Sequence, residues 1–282
     1  MKIVHSVAEM QDTAAATRAR GESIGLVPTM GSFHAGHLSL MSAARTQNDR
    51  VVVSLFVNPT QFGPGEDLAA YPRDLDGDAR LAAAEDVDVL FAPSAAEMYP
   101  DGFATTVHVA GVADVLDGAA RPGHFDGVAT VVAKLFSIVA PDVAYFGQKD
   151  AQQVLVVRRL VRDLNLPVRI EACPIVREAD GLAMSSRNVY LDPEARARAT
   201  ALNQALSAAE AVVALGETRA EPVLAAARGV LAASGIDPEY LELRSPDDLT
   251  PVDAVTEPAL LAVAARVGSA RLIDNRMLEA SR

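Results

Sequence analysis

The sequence has one cysteine, no tryptophan and only 5% aromatic residues, and its 25 Lys and Arg are outnumbered by 37 Asp and Glu. The single Cys173 excludes an internal disulfide framework and is typical of a reducing cytoplasm. No apolar run approaches the ~20 residues of a membrane-spanning helix, and acidic residues come too early for a secretory signal. The net charge of −12 disfavours nonspecific binding to nucleic acid, because phosphate backbones attract basic surfaces. We therefore expect a cytoplasmic protein with neither membrane nor nucleic-acid partners.

The first 175 of the 282 residues alternate strand-like apolar runs with helical patterns. This alternation predicts an α/β fold, with a parallel sheet wrapped by helices. The predicted strands are 24–27, 51–57, 87–91, 106–109, 143–146 and 168–172. The predicted helices are 6–20, 38–46, 75–85, 128–139 and 150–164.

The pattern changes near residue 175. Residues 194–214 and 219–234 are Ala-rich and helical in pattern, and short strands are predicted at 240–244, 259–267 and 271–273. Helices followed by strands predict a smaller α+β domain. We therefore expect two domains, residues 1–175 and residues 176–282.

The most informative segment is VPTMGSFHAGH, residues 27–37, in which His34 and His37 follow the end of a predicted strand. Residues three apart lie on the same side of a helical turn, so both imidazoles can face one ligand. Gly36 lets a ligand approach closely, and the helix N-terminus offers unpaired N–H groups to a phosphate. The segment favours a nucleotide phosphate site, although the same spacing also fits a metal site or two exposed helix residues.

Polar turns follow two other predicted strands. Asn58 and Gln61 in FVNPTQF can hydrogen-bond a polar substrate, or they can belong to a simple turn. Lys149 in FGQKDAQQ is a flexible point charge suited to phosphate, whereas Asp150 and Gln153 also fit a helix capping box. Ligands bind beyond the carboxyl ends of parallel strands, so we expect these turns to converge with the histidines on one crevice.

A fourth segment, GLAMSSRN at residues 181–188, places two hydroxyls and a guanidinium in succession. Ser185, Ser186 and Arg187 can therefore hold phosphate oxygens. The alternative is a surface turn, and the Asp-Gly pair at residues 180–181 predicts a turn in either case.

The order of these segments resembles the nucleotidyltransferase-like superfamily, in which an early H-x-G-H turn and a late basic, Ser-rich loop form an ATP site. MSSRN stands in the place of the K-M-S-K-S loop. Within that superfamily the sequence is similar to the pantothenate synthetase (pantoate–β-alanine ligase) family. The matching segments run along nearly the whole chain: PTMGSFHAGH, FVNPTQF, Tyr71-Pro72-Arg73, RPGHFDG at 121–127, FGQKD-x-QQ at 146–153, VREADGLAMSSRN at 176–188, YLELR at 240–244 and RLIDN at 271–275.

The resemblance implies a Rossmann-like domain over residues 1–175 that binds ATP and pantoate, and a C-terminal domain that covers the active site. The implied reaction is the ATP-dependent condensation of D-pantoate with β-alanine in pantothenate and coenzyme A biosynthesis. It proceeds through an enzyme-bound pantoyl adenylate and releases AMP and pyrophosphate. The resemblance further implies Mg²⁺ on the triphosphate and a homodimer.

The resemblance also assigns roles to residues of this chain. The donors assigned to the phosphoryl oxygens are His34, His37, Lys149, Ser185, Ser186 and Arg187. The implied lining of the ATP site is Met30, Gly31, Ser32, Phe33, His34, Ala35, Gly36, His37, Gly147, Gln148, Lys149, Asp150, Val176, Met184, Ser185, Ser186 and Arg187. Pantoate and β-alanine are assigned to Gln61, Gln153 and Asn58, and the metal to Asp78.

The sequence departs from the family pattern at Gln148 and Asp117, where Glu is usual, and at Gly77, where some members carry an acidic residue. These departures affect fine geometry and remove no motif residue. We expect His124 on a loop near the site, in a structural role.

Two other classes of protein compete with this interpretation. An adenylyltransferase that makes a dinucleotide would share the two histidines but would not need FVNPTQF or GQKD-x-QQ. A non-catalytic ATP-binding regulatory module would be favoured by loss of a histidine or of Lys149, and all are present. A tRNA synthetase is disfavoured because the chain is short and acidic.

Overall fold

The computed structural model of the chain describes residues 1–280, which form two compact units. The first unit contains Met1–Gln148 and Gln152–Pro174. The second contains Lys149–Ala151 and the chain from Ile175 onward. Within the described residues, no helix combines the length and the apolar character needed to cross a membrane. The ATP-binding and active-site-covering roles of the two domains remain predictions.

Six parallel strands form the sheet of the first unit. They are β1 (Lys2–Val4), β2 (Ile24–Thr29), β3 (Arg50–Leu55), β4 (Val89–Phe91), β5 (Val143–Gly147) and β6 (Arg169–Cys173). Their order across the sheet is β1-β4-β3-β2-β5-β6. Val51, Val52 and Val53 of β3 are at most 2% exposed, as is usual for a parallel sheet buried on both faces. The strand order reverses between β2 and β5, and such a switch point is where open α/β sheets bind ligands.

Helices connect these strands, which confirms the predicted α/β alternation. They are α1 (Val7–Ala19), α2 (Ala35–Gln47), α3 (Leu75–Ala84), α4 (Ala95–Met98), α5 (Asp117–Ala120), α6 (His124–Val139) and α7 (Ala151–Asp163). One-turn 3₁₀ helices occur at Pro59–Gln61 and Gln148–Asp150. Short polar residues begin several helices: Ser6 accepts a hydrogen bond from the N–H of Glu9, and Asp74 accepts one from Gly77.

Three predicted details differ from the structure. Residues 106–109 form no strand, because the N–H of Val107 donates to the hydroxyl of Thr130 on α6 at 2.9 Å. The short edge strand β1 was not predicted, since three residues leave little pattern. His124 does not lie on a loop; it is the first residue of α6, after Gly123 at a φ of 83°.

The second unit is α+β, as predicted. Its helices are α8 (Pro193–Ala199), α9 (Ala201–Ala214) and α10 (Ala220–Ala233), and its antiparallel strands are β7 (Pro238–Arg244), β8 (Ala259–Val267) and β9 (Ala270–Leu278), in the order β7-β8-β9. The helical stretch predicted at 194–214 is two helices that meet at Thr200. Leu206, Leu231 and Leu261 are fully buried in the core that α9, α10 and the sheet share. β9 also carries two buried polar residues, Asp274 and Asn275.

Candidate active site

The turn after β2 contains two consecutive residues with positive φ, Gly31 at 88° and Ser32 at 54°. Glycine adopts such values readily, but a residue with a Cβ does so at a cost of about 1–3 kcal/mol. Asp78 of α3 supports the turn: its two carboxylate oxygens accept hydrogen bonds from the N–H groups of Ser32 at 2.8 Å and Phe33 at 2.7 Å. A Cβ at Gly31 would lie 2.9 Å from Asp78 Oδ2. The turn therefore requires both the glycine and the carboxylate.

Asp78 is almost completely buried, with 3% of its surface exposed. Burial raises the pKa of its carboxyl group above the ordinary value, and the N–H donors of Phe33 and Ser32 oppose that rise. Across residues 1–280 there is no group of three or more His, Cys, Asp or Glu arranged to hold a metal ion. Both oxygens of Asp78 serve the turn, so the carboxylate fits a backbone-holding role better than a metal-binding one.

His34 and His37 form the N-terminal cap of α2. The N–H of Gly36 donates to Nδ1 of His34 at 3.1 Å, and the N–H of His34 donates to Nδ1 of His37 at 3.4 Å. This arrangement is a capping box built from two imidazoles, whose ring centroids lie 4.1 Å apart. Because each Nδ1 accepts from a backbone N–H, a neutral ring must carry its proton on Nε2. Both rings thus have an Nε2–H donor at the N-terminus of a helix, where the helix dipole favours an anion.

Asn58 and Gln61 share one network after β3. Asn58 Nδ2 donates to Gln61 Oε1 and to the carbonyl of Gly127, both at 3.1 Å. Asn58 Oδ1 accepts from Tyr99 Oη at 2.7 Å and from the hydroxyl and N–H of Thr60. The backbone partners fix which way the Asn58 amide points. Gln61 Oε1 is therefore occupied as an acceptor, and its Nε2 is the donating end, lying 3.2 Å from Met30 Sδ.

His124 holds the backbone of Gln61 from the first turn of α6. Its Nδ1 donates to the carbonyl of Gln61 at 2.8 Å, and Arg121 Nη1 donates to its Nε2 at 3.1 Å. Arg121 also binds both carboxylate oxygens of Glu66, at 2.6 and 2.8 Å. Burial, together with the charge of Arg121, lowers the pKa of His124 to about 4. His124 is therefore a neutral imidazole near pH 7 and keeps a single tautomer.

In the second unit, Lys149 lies in the 3₁₀ turn that follows β5. Its side chain is one-fifth exposed, and its Nζ lies 3.9 Å from Asp150 Oδ1. The carbonyl oxygen of Lys149 accepts a hydrogen bond from Asn275 Nδ2 at 2.9 Å. Asn275 is a buried residue of β9, so a strand of the second unit fixes the backbone from which Lys149 extends.

The Ser-Ser-Arg segment follows a hairpin-like turn in the same unit. Met184 N–H donates to the carbonyl of Val176 at 3.0 Å, and a β-bridge joins Arg177 to Ala183. Arg177 pairs through two hydrogen bonds, at 2.6 and 2.9 Å, with the buried carboxylate of Asp274 on β9. Ser185 then caps the 3₁₀ helix Ser186–Tyr190, since its hydroxyl accepts from the N–H of Arg187 at 3.2 Å. The segment is thus anchored at its base by an ion pair and at its end by a cap.

Gln152 and Gln153 differ sharply in their surroundings. Gln152 is 5% exposed, and its Nε2 donates to the carbonyls of Val112 and Val115 at 2.8 and 2.7 Å. Its Oε1 accepts from the N–H of Asp117 at 3.0 Å. Gln152 therefore has a structural role in the loop before α5, whereas Gln153 is half-buried.

The predicted site residues divide between the two units. The first unit carries residues 30–37, Asn58, Gln61, Asp78, Gly147, Gln148 and Gln153, and the second carries Lys149, Asp150, Val176 and residues 184–187. Within the first unit the structure brings Met30 against Gln61 and Asp78 against the histidine turn. Sequence reasoning missed the supporting partners Tyr99, Arg121, Asp274 and Asn275. Arg121 lies in the motif RPGHFDG, and Asp274 and Asn275 lie in RLIDN. Membership in these motifs was the one feature of the sequence that could have identified them.

Comparison with known proteins gives one consistent result. The profile described as Pantoate-beta-alanine ligase matches residues 2–277. A pantothenate synthetase of Roseiflexus castenholzii is 56% identical over 281 residues, covering 99% of this chain and 100% of that protein. The crystal structure of pantothenate synthetase from Thermus thermophilus superposes with a TM-score of 0.94 at 50% identity, covering 99% of this chain and 100% of that one. Pantoate-beta-alanine ligase from Francisella tularensis, crystallised with Beta-gamma ATP and β-alanine, gives a TM-score of 0.81 at 33% identity, covering 98% and 97%.

The parallel sheet, the polar turns at its carboxyl edge and these similarities define an α/β enzyme of the ligase class. The chain belongs to the pantoate–β-alanine ligase family. The family joins D-pantoate to β-alanine at the expense of ATP, through an adenylate intermediate.

Proposed function

We propose that this enzyme condenses D-pantoate with β-alanine to form pantothenate, releasing AMP and pyrophosphate. The observation that carries the proposal is the His34–His37 pair at the N-terminus of α2, directly beyond the carboxyl end of β2. Two Nε2–H donors and a helix dipole suit the α-phosphate of ATP, where negative charge develops during adenylation.

In the first step a carboxylate oxygen of pantoate attacks the α-phosphorus, and the bond to the β-phosphate oxygen breaks as pyrophosphate leaves. The chemistry requires positioning and charge stabilisation rather than a covalent intermediate on the protein. We assign the stabilising donors to His34, His37, Lys149, Ser185, Ser186 and Arg187. The adenosine and phosphates are assigned to residues 30–37, Gly147, Gln148, Lys149, Asp150, Val176 and residues 184–187.

In the second step the β-alanine amine attacks the acyl carbon, the bond to the AMP oxygen breaks, and the amine loses a proton. The proposed pantoate contacts are Gln61 and Gln153, with Asn58 alongside. Because Gln61 Oε1 already accepts from Asn58, Gln61 offers its Nε2–H groups to an oxygen of pantoate. A water-excluding site is needed, since the adenylate hydrolyses readily.

We further propose that Mg²⁺ enters as the MgATP substrate, because magnesium commonly keeps several waters and few protein ligands. The enzyme is proposed to act in the cytoplasm as a homodimer, without nucleic-acid or membrane partners. Its acidic balance of 37 Asp and Glu against 25 Lys and Arg supports the absence of nucleic-acid binding.

The test is ATP consumption with pantoate and β-alanine omitted in turn. With pantoate alone, we expect one equivalent of pyrophosphate per active site and no further turnover. With both substrates, AMP and pantothenate should form in equal amounts. AMP formation that needs no pantoate would contradict the proposal. Pyrophosphate release that instead needs a nucleotide acceptor would favour an adenylyltransferase.

A further inference from the structure

We propose that Asp78 is a positioning residue for adenylation: its carboxylate holds the Gly31–Phe33 turn so that His34 and His37 present their Nε2–H donors to the nucleotide. This inference rests on the proposed function, because it takes that pair as the phosphate site. It gives Asp78 a role in the reaction that involves no contact with the metal.

The chain of contacts from Asp78 to the histidines is short. The carboxylate accepts from the N–H groups of Ser32 and Phe33, and His34 follows immediately as the N-cap of α2. The ring of Phe33 packs 5.5 Å from the ring of His37. A shift of the turn would therefore displace His34 through the backbone and His37 through its contact with the ring of Phe33.

The other end of the contact is also fixed. Asp78 lies in the first turn of α3, which Asp74 caps by accepting from Gly77 N–H at 2.9 Å. Asp78 N–H itself donates to the carbonyl of Asp74 at 2.9 Å. A carboxylate at the start of a capped helix is a rigid support for the left-handed conformation of Ser32.

Asp78→Asn tests this contact directly, because it keeps the shape of the side chain and changes only its hydrogen-bonding groups. A carboxylate accepts from both N–H groups, whereas an amide of the same shape can accept from one and must turn an N–H donor toward the other. The matched control is Asp49→Asn. Asp49 also accepts from a backbone N–H, that of Ser23 at 2.8 Å, but it is exposed and lies directly before β3, at the amino ends of the strands.

The experiment compares both variants with the wild-type enzyme by pre-steady-state adenylation, by Mg²⁺ titration and by amide hydrogen exchange at Ser32 and Phe33. We expect Asp78→Asn to lose exchange protection at these two amides and to slow adenylation by about 100-fold, with an unchanged Mg²⁺ dependence. Asp49→Asn should stay within about 2-fold of wild type.

Three results would overturn the proposal. Recovery of Asp78→Asn at high Mg²⁺ would make Asp78 a metal ligand. Lower thermal stability with normal adenylation would make it purely structural. Unchanged protection at Ser32 and Phe33 would remove the turn from the explanation. Wild-type enzyme that fails to adenylate pantoate would instead refute the proposed function, and the exchange data would still report on the turn.

A second variant covers the case in which Asp78→Asn folds poorly. Ser32→Gly relieves the strain at the positive φ, so combining it with Asp78→Asn should restore folding and recover adenylation about 5-fold or more. A metal ligand or a charge acting directly on ATP would not be recovered by a glycine at residue 32. Failure of the double variant to improve on Asp78→Asn would count against the proposal.

Discussion

Asn275 donates a hydrogen bond from its side-chain amide to the backbone carbonyl of Lys149, at 2.9 Å. The preceding residue, Asp274, binds Arg177 through both of its carboxylate oxygens. Two consecutive residues of β9 therefore anchor two segments that are far apart in the chain and that both carry candidate phosphate donors. A strand far from β5 in sequence thus fixes the backbone of Lys149.

Asn275→Ala should weaken the use of ATP. It removes the donor to the Lys149 carbonyl and leaves a polar group unsatisfied, at a cost of about 1–3 kcal/mol. We expect kcat/KM for ATP to fall about 10-fold, with the KM for pantoate changing much less. Steady-state kinetics with each substrate varied will measure this. Ser207→Ala on α9 is the control, because it removes a hydrogen bond of the same length, 2.9 Å, that Ser207 accepts from Arg276 Nη1 of β9. Equal losses in both variants would show a general effect on stability.

Asn58→Asp should damage pantoate recognition. The substitution replaces a donor with an acceptor that faces Gln61 Oε1 and the Gly127 carbonyl. Gln61 would have to rotate its amide, so we expect the KM for pantoate to rise about 10-fold or more while the Kd of ATP changes little.

The control for this prediction is Asn48→Asp. Asn48 is also buried, and its Nδ2 donates to two acceptors, the Ala44 carbonyl and Tyr145 Oη, both at 2.8 Å. We expect that variant to lose stability but to keep its KM for pantoate. If Asn58→Asp and Asn48→Asp behave alike, Gln61 does not depend on the orientation of Asn58.

Gly127→Ala should be strongly destabilising, because α6 packs directly on the backbone of the Pro59–Gln61 turn. An added Cβ would lie 2.4 Å from the carbonyl oxygen of Thr60 and 2.6 Å from Gln61 N. Relieving such contacts costs roughly 1–3 kcal/mol. Gly229→Ala on α10 has nothing within 4 Å of the new Cβ and should stabilise by about 0.5–1 kcal/mol. Urea denaturation should show a lower free energy of unfolding for Gly127→Ala and a higher one for Gly229→Ala. A Gly127→Ala variant as stable as wild type would refute the close packing.

Stability should fall on mild acidification because of His124. Its pKa in the folded protein is about 4, below the ordinary 6.5, so the unfolded chain takes up a proton that the folded protein does not. The loss begins below pH 6.5 and continues toward pH 4, reaching up to about 2 kcal/mol at pH 5. Glu66, with its pKa lowered to about 2 by Arg121, contributes stability that is lost at lower pH, from 4.5 downward.

The measurement is the free energy of unfolding at pH 7 and pH 5 for wild type and His124→Asn. The asparagine can still donate to the Gln61 carbonyl but does not titrate. We expect the difference between the two pH values to shrink in the variant. An unchanged difference would mean that other groups govern this pH range.

The sequence predicted most of the sheet well, because buried parallel strands leave continuous apolar runs such as the one around Val51–Val53. It was wrong at residues 106–109, where the pattern is strand-like but a side-chain hydroxyl on α6 takes the backbone N–H of Val107. The start of α6 was missed because the residue before it, Gly123, is in a left-handed conformation and supplies no side-chain cap. The local pattern of apolar and polar residues indicates neither the missing strand at 106–109 nor the start of α6.

For the site, the sequence by itself determined the residue types and their local placement. His34 and His37 three residues apart, after a strand and at the start of a helix, follow from short-range geometry and from resemblance to a family. The tertiary structure decided what holds them. Asp78 meets the turn 45 residues away in the chain, and Asn275 meets Lys149 across 126 residues. Packing of the folded chain brings these hydrogen-bonded partners together. Their separation in sequence does not follow the helix or strand periodicity, so the sequence alone does not reveal them.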